Sequence, residues 1–349
     1  MVISGATDNR DSAFELLRIV AQWMIVMYHL LYFHVYPATG DVFYKAIQMP
    51  LHIGVILYLL TSGYFGIRPS IKKLFFLLVY VAIYTIPLLL IYDYDLNKNL
   101  FQTTLDVLFV SRSPYWFVRT YIFLFLLSPV INYWISEQKR SLYLLSVLFF
   151  ICIYVGVLGS DETLWGGKNL LNFVFLYVLG YELRRSSSCK SYNIKKLLLL
   201  WLILNVILVY IYNIFSETLF GKLIWMLSYP YNSPIIVLNA TVFFMIFTKL
   251  KLKSKAVNYI AGSSFAIYLI HCHPFVNGVL LPAFFNEMTE VIQNHSLTMA
   301  VIILMTFGIL TFSIIIDKAL TPLWIFVNSA GEKLAGKLER YQLDNTFKS

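Results

Sequence analysis

Near the amino end, Glu15, Arg18, Gln22 and His29 have the types and spacing of a reaction path. Their offsets of 0, 3, 7 and 14 fall within about 60° of one another on an α-helix turning roughly 100° per residue, so they form one polar stripe. Arg18 and His29 are eleven residues apart, or roughly 16 Å along that face at about 1.5 Å per residue. A guanidinium suits a phosphate, and an imidazole suits proton transfer beside an acyl carbon. Coenzyme A has matching proportions, with phosphates and a thioester joined by an extended pantetheine arm. Arg18 is therefore expected to hold donor phosphate and His29 to meet the acyl group. Glu15, at i,i+3, is placed to pair with Arg18 and fix its direction. An interfacial ion pair is the structural alternative for Glu15 and Arg18.

A second constellation lies in AGSSFAIYLIHCHPF, where Ser264, Tyr268 and His271 fall at i, i+4 and i+7 on one helical face. His271 is expected at a depth like that of His29, so the two imidazoles can act as base and orienter; His271 and His273 equally fit interfacial sites beside Pro274. No metal is expected, because no carboxylate or thiolate accompanies the pair at ligand spacing and Cys152, Cys189 and Cys272 are scattered. Arg119 is a candidate for contact with an acceptor hydroxyl, a phosphate or a developing oxyanion. Its neighbour Trp116 suits either the acceptor or an aromatic belt. Lys72 and Lys73 fit a positive-inside role and are also placed for coenzyme A phosphates. Asn172 and Asn239 are expected to make interhelical hydrogen bonds.

Ionisable groups of this kind need helices that shield them from lipid. The chain has 349 residues, 59% hydrophobic and only 13% charged, which excludes an ordinary soluble domain. Ten apolar stretches are long enough to be membrane spans: 14–33, 52–66, 74–92, 115–135, 142–158, 170–183, 197–215, 233–247, 257–275 and 298–316. The expected fold is an all-α, polytopic bundle of about ten transmembrane helices. With the N-terminus in the cytoplasm, 21 of the 27 Lys and Arg fall on that side and 6 on the other, which places both termini there. The net charge of +9 then reflects topology and lipid contact, and no nucleic acid is implied. The expected segments are a cytoplasmic 1–13, a membrane domain over 14–327 and a cytoplasmic tail over 328–349. Within the tail region, Leu320 to Tyr341 alternates apolar and charged residues as a surface helix would. No secretory signal or room for a separate soluble domain is expected. Phosphate-cradling, dinucleotide, zinc-protease and serine-hydrolase signatures are absent.

The opening RDSAFELLRIVAQWMIVMYH resembles the start of the acyltransferase 3 family, in which an acidic residue precedes an arginine by three and a histidine follows it by eleven. Glu15, Arg18 and His29 match that pattern. IGVILYLLTSGYF, YWFVRTYIFLFLLSPVIN, VLGYELRR and SFAIYLIH are similar to the family's second, fourth, sixth and late histidine-bearing spans, in order. The resemblance implies a multi-pass enzyme of the bacterial inner membrane that moves an acyl group, usually acetyl, from cytoplasmic acyl-coenzyme A to a carbohydrate. The acceptor would be polymeric or lipid-linked, as in capsular polysaccharide, exopolysaccharide or lipopolysaccharide. Lys72 and Lys73 stand where many relatives carry arginines, and no appended esterase-like domain is expected. His29 would act as general base or transient acyl carrier. The rival expectation is a carrier or flippase for a lipid-linked sugar or small solute, which also needs buried polar residues but more often has paired halves with interrupted helices. Oligomeric state is not legible.

Overall fold

Aliphatic and aromatic runs without water must satisfy their backbone internally, and a helix does this within a single segment. The computed structural model describes residues 11–95, 115–159, 161, 163–187, 191–215, 218–288 and 294–346, and among these there are helices and turns but no strand. Residues 1–10, Cys189, almost all of the expected loop from Asp93 to Pro114 and the last residues of the tail lie outside them.

The helices are α1 (Ser12–Leu30), α2 (Val42–Leu51), α3 (Gly54–Phe65), α4 (Ile71–Asp95), α5 (Trp116–Ile135), α6 (Gln138–Phe149), α7 (Leu170–Arg185), α8 (Ile194–Phe215), α9 (Gly221–Ser228), α10 (Pro234–Phe247), α11 (Lys255–Ala261), α12 (Ser264–His271), α13 (Leu281–Asn286), α14 (His295–Ala319) and α15 (Thr321–Thr346). By length and composition, seven continuous stretches can cross a membrane: Ser12–Thr39, Val42–Phe65, Ile71–Leu90, Trp116–Ile135, Gln138–Leu158, Ile194–Phe215 and His295–Ala319. An eighth is the bent pair Lys255–His271 and Val276–Asn286. The remaining expected stretches are α7 and α10, with 16 and 14 residues. Every expected stretch is thus mainly helical, and with seven or eight of them long and apolar enough to cross a membrane the count of about ten is approximate.

Two boundaries differ from expectation. The first span runs on past α1 through a π-helical turn, Leu31–Val35, to Thr39. The second begins ten residues earlier, at Val42 rather than His52, with only a turn at His52 and Ile53 between α2 and α3. The expected helix after Leu320 is found as α15, which runs across residue 327 and packs against α4.

Helix starts follow local chemistry. Asp11, Asp41, Asn169, Ser254 and Asn294 each cap a helix by accepting a hydrogen bond from a backbone amide two or three residues on. Ser12 also receives the Ser254 amide at 2.9 Å, tying the beginning of α1 to that of α11. α1 touches α2, α3, α10, α11, α12 and α14, which bury Glu15 and Gln22 of its polar stripe and leave Arg18 partly exposed.

The tightest crossing is between α3 and α7. A Cβ on Gly63 would overlap the Tyr177 carbonyl, and one on Gly180 would overlap the Leu60 carbonyl, so backbone meets backbone from both sides. Asn205 and Asn239 exchange reciprocal bonds of 2.9 and 3.2 Å between α8 and α10, the interhelical pairing expected for Asn239. Asn172 differs: its amide donates to the Gly167 carbonyl at 2.9 Å and closes a local loop, because that loop folds back over the start of α7.

Gly63→Ala is expected to destabilise the protein by about 1–3 kcal/mol through overpacking. Gly308→Ala, where an added Cβ meets nothing within 4 Å, is expected to leave the thermal unfolding midpoint of the purified protein unchanged.

Candidate active site

Along α1 the stripe is built as its spacing dictates. Arg18 Nη1 donates to both carboxylate oxygens of Glu15, at 3.1 and 3.2 Å, and Glu15 is buried while the Arg18 side chain stays 33% exposed. The expected pair is therefore present, with the guanidinium still reachable. One turn on, Gln22 Oε1 accepts from Tyr58 Oη at 3.2 Å, and the same hydroxyl reaches the Arg18 carbonyl at 3.0 Å. Gln22 Nε2 is buried and has no hydrogen-bond acceptor among the described residues.

Gln22 and His29 line a partly open cavity together with Tyr58, Trp116, Tyr268 and Cys272. Its largely aromatic wall, with a few polar groups converging on it, suits a small-molecule site. Trp116 and Tyr268 are thus brought to His29. Arg119 is not: it is exposed and does not line this cavity.

The second constellation meets the first across a broken helix. The expected ninth stretch is interrupted at Gly262 and Ser263, between α11 and α12, and bends by 59° before Val276–Asn286. Ser263 Oγ donates to Asp317 Oδ2 at 2.6 Å, while Tyr80 and Tyr84 donate to Oδ1 at 2.6 and 2.8 Å. One buried carboxylate of α14 thereby anchors both the break and α4. From this break α12 carries His271 inward to His29. Both His271 and His273 are buried within the protein. His273 accepts the Phe275 amide and bonds to the Thr85 carbonyl, a role in holding the turn.

His271 Nδ1 lies 2.6 Å from the Ile267 carbonyl, and His271 Nε2 lies 3.0 Å from His29 Nδ1. A carbonyl only accepts, so His271 carries its proton on Nδ1 and, when neutral, offers a bare Nε2. His29 must then donate from Nδ1, which leaves His29 Nε2 as the lone-pair nitrogen on a ring lining the cavity. One backbone carbonyl thus sets the proton order of two rings. The arrangement is that of a base held in its reactive tautomer by an orienting partner.

Cys272 was missed by sequence reasoning. Its Sγ lies 3.3 Å from His271 Nε2 and 3.6 Å from His29 Nδ1, so a thiol does accompany the pair, contrary to expectation. Cys272 closes α12 with its backbone still helical, its amide bonded to the Tyr268 carbonyl at 3.1 Å, and from there its sulfur reaches both rings.

Lys72 and Lys73 are held elsewhere. Lys72 Nζ pairs with Glu332 of α15 at 2.6 Å, and this bond holds the Glu332 carboxyl below the usual carboxylate range. Lys73 Nζ donates to the Arg68 carbonyl at 2.6 Å. Neither lines the cavity.

A family model described as an acyltransferase domain matches residues 11–318, nearly the whole chain. The chain belongs to the acyltransferase 3 family, and is a multi-pass membrane acyltransferase. No curated protein and no solved structure matches it.

Asp317→Ala leaves three hydroxyl donors without their acceptor and is expected to cost about 2–3 kcal/mol. The thermal unfolding midpoint of the purified protein checks this, with Asp317→Asn, which keeps one acceptor oxygen, expected to lose less.

Proposed function

We propose that the protein transfers an acyl group, acetyl in the simplest case, from acyl-coenzyme A on the cytoplasmic side to a hydroxyl of a cell-surface carbohydrate, in a bacterial inner membrane with both chain termini cytoplasmic. The single observation that carries the reading is the lone-pair nitrogen of His29 on a cavity wall, fixed by His271 and the Ile267 carbonyl. The half-exposed guanidinium of Arg18 is the anchor for donor phosphate, and Glu15 aims it. Between them, the unpartnered Gln22 Nε2 is placed to donate to a carbonyl of the pantetheine arm. Lys72 and Lys73 would join only if a phosphate displaced Glu332 and the Arg68 carbonyl. Trp116 and Tyr268 face the acceptor as apolar walls with polar edges. Arg119 has no part in the step.

In that step the acceptor oxygen attacks the thioester carbonyl while His29 Nε2 takes the hydroxyl proton. The tetrahedral adduct collapses with cleavage of the carbon–sulfur bond, and the imidazolium returns the proton to the departing thiolate. Ester and free coenzyme A are the products. His271 keeps its bond to His29 Nδ1–H throughout and steadies the transient positive charge. Base catalysis of this kind contributes about 10²- to 10⁴-fold, whereas a neutral hydrogen bond contributes only about 0.5–1.5 kcal/mol to stability. The pair therefore matters more for rate than for folding.

His29→Ala is expected to lower transfer of radiolabel from acetyl-coenzyme A to membrane polysaccharide by at least about 10²-fold while the protein inserts and unfolds normally. Undiminished acetylation by this variant would remove His29 as the base. His271→Ala is expected to lower kcat with little change in KM for the donor, because it acts through His29 alone. A rise in KM with kcat unchanged would instead place His271 in donor binding.

A further inference from the structure

Cys272 plays no part in the transfer step, yet its sulfur sits against both imidazoles. His29 Nδ1, His271 Nε2 and Cys272 Sγ are separated by 3.0 Å (N to N), 3.3 Å and 3.6 Å (N to S). Zinc bonds of about 2.0–2.1 Å to imidazole nitrogen and about 2.3 Å to thiolate, in a tetrahedron, require edges of roughly 3.3 Å between nitrogens and roughly 3.5 Å between nitrogen and sulfur. The three atoms already stand within a few tenths of an ångström of those edges. All three lie within 4.8 Å of one another, and no other group of three His, Cys, Asp or Glu with this property occurs among the described residues.

The surroundings fit as well as the distances. The bond from His271 Nδ1–H to the Ile267 carbonyl is the outer contact by which a metal-bound imidazole is commonly held, since it aims the bare Nε2 at the ion. Cys272 is buried and forms no disulfide. Two of the three side chains, His29 and Cys272, line the cavity, which supplies a route inward and room for a water or hydroxyl as fourth ligand. Two imidazoles and a thiolate favour a late first-row ion of intermediate softness over magnesium or calcium, which prefer oxygen.

We propose that His29, His271 and Cys272 form a Zn²⁺ site that switches the base off. Coordination takes the Cys272 thiol proton to solvent and shifts the His29 proton from Nδ1 to Nε2, so one proton leaves per ion bound. The lone pair that would accept the acceptor's proton is then gone. Zinc and acyl transfer compete for one imidazole, and the ion acts as a reversible inhibitor.

Cobalt(II) tests the site in the purified full-length protein, because thiolate ligation gives it a near-ultraviolet charge-transfer band and tetrahedral geometry gives it intense visible bands. One equivalent is expected to produce both in the wild type and in Cys152→Ser, and the charge-transfer band is expected to vanish in Cys272→Ser. Its absence from the wild type, or its persistence in Cys272→Ser, would overturn the proposal. X-ray absorption of the zinc-loaded wild type gives a reading that needs no variant: one sulfur and two imidazoles are expected, and an oxygen-only shell refutes the site. Where transfer is measured, one bound equivalent is expected to slow it at least tenfold and a chelator to restore it, whereas full activity with the ion bound would refute the switch. The spectra report ligation whether or not acyl transfer is the protein's reaction.

Discussion

A backbone carbonyl can only accept a hydrogen bond, and from that constraint the chemistry of this molecule descends. The Ile267 oxygen fixes the proton on His271, His271 fixes the proton on His29, and His29 is left with a lone pair on a ring that lines a cavity. Exposed to water, two imidazoles would exchange tautomers freely. Here the order starts from His271 Nδ1, whose partner is a carbonyl that tolerates only one arrangement.

Getting the rings together takes more architecture than the contact itself. α1 brings His29 as the last residue but one of an unbroken helix, packed on six neighbouring elements. α12 brings His271 by a different means: it restarts after Gly262 and Ser263, and Asp317 holds that restart with one carboxylate shared among Ser263, Tyr80 and Tyr84. A buried acceptor serving three donors is a costly feature unless all three are satisfied, as they are here. The close crossing of α3 and α7 at Gly63 and Gly180 stiffens the wall that bears Tyr58.

What could be foreseen followed the range of the interaction. The Glu15–Arg18 pair and the alignment of Gln22 with His29 were legible because helical periodicity settles them within one element. The ten apolar stretches were legible because hydropathy marks them, although their ends were not, since neither the π turn at Leu31–Val35 nor the joining of α2 to α3 changes composition. The break in the ninth stretch stayed hidden: Gly262 and Ser263 interrupt nothing in hydropathy, and the residue that stabilises the interruption lies 54 positions away. Cys272 was set aside because the three cysteines are scattered through the sequence, and only the fold brings its sulfur against both imidazoles. Lys72 looked free for phosphate because Glu332 is 260 residues distant in sequence.

The π-helical turn that follows His29 also separates two stretches of the first span. A wider turn holds one residue more than its neighbours, so the ring positions after it are rotated out of phase with those before it. His34 accordingly looks toward Asn277, bonded at 2.9 Å, and not toward the cavity. The stretch beyond this turn is therefore out of register with the stripe that carries His29: side chains there can change without disturbing the imidazole's alignment, so the two halves of one span are free to vary independently.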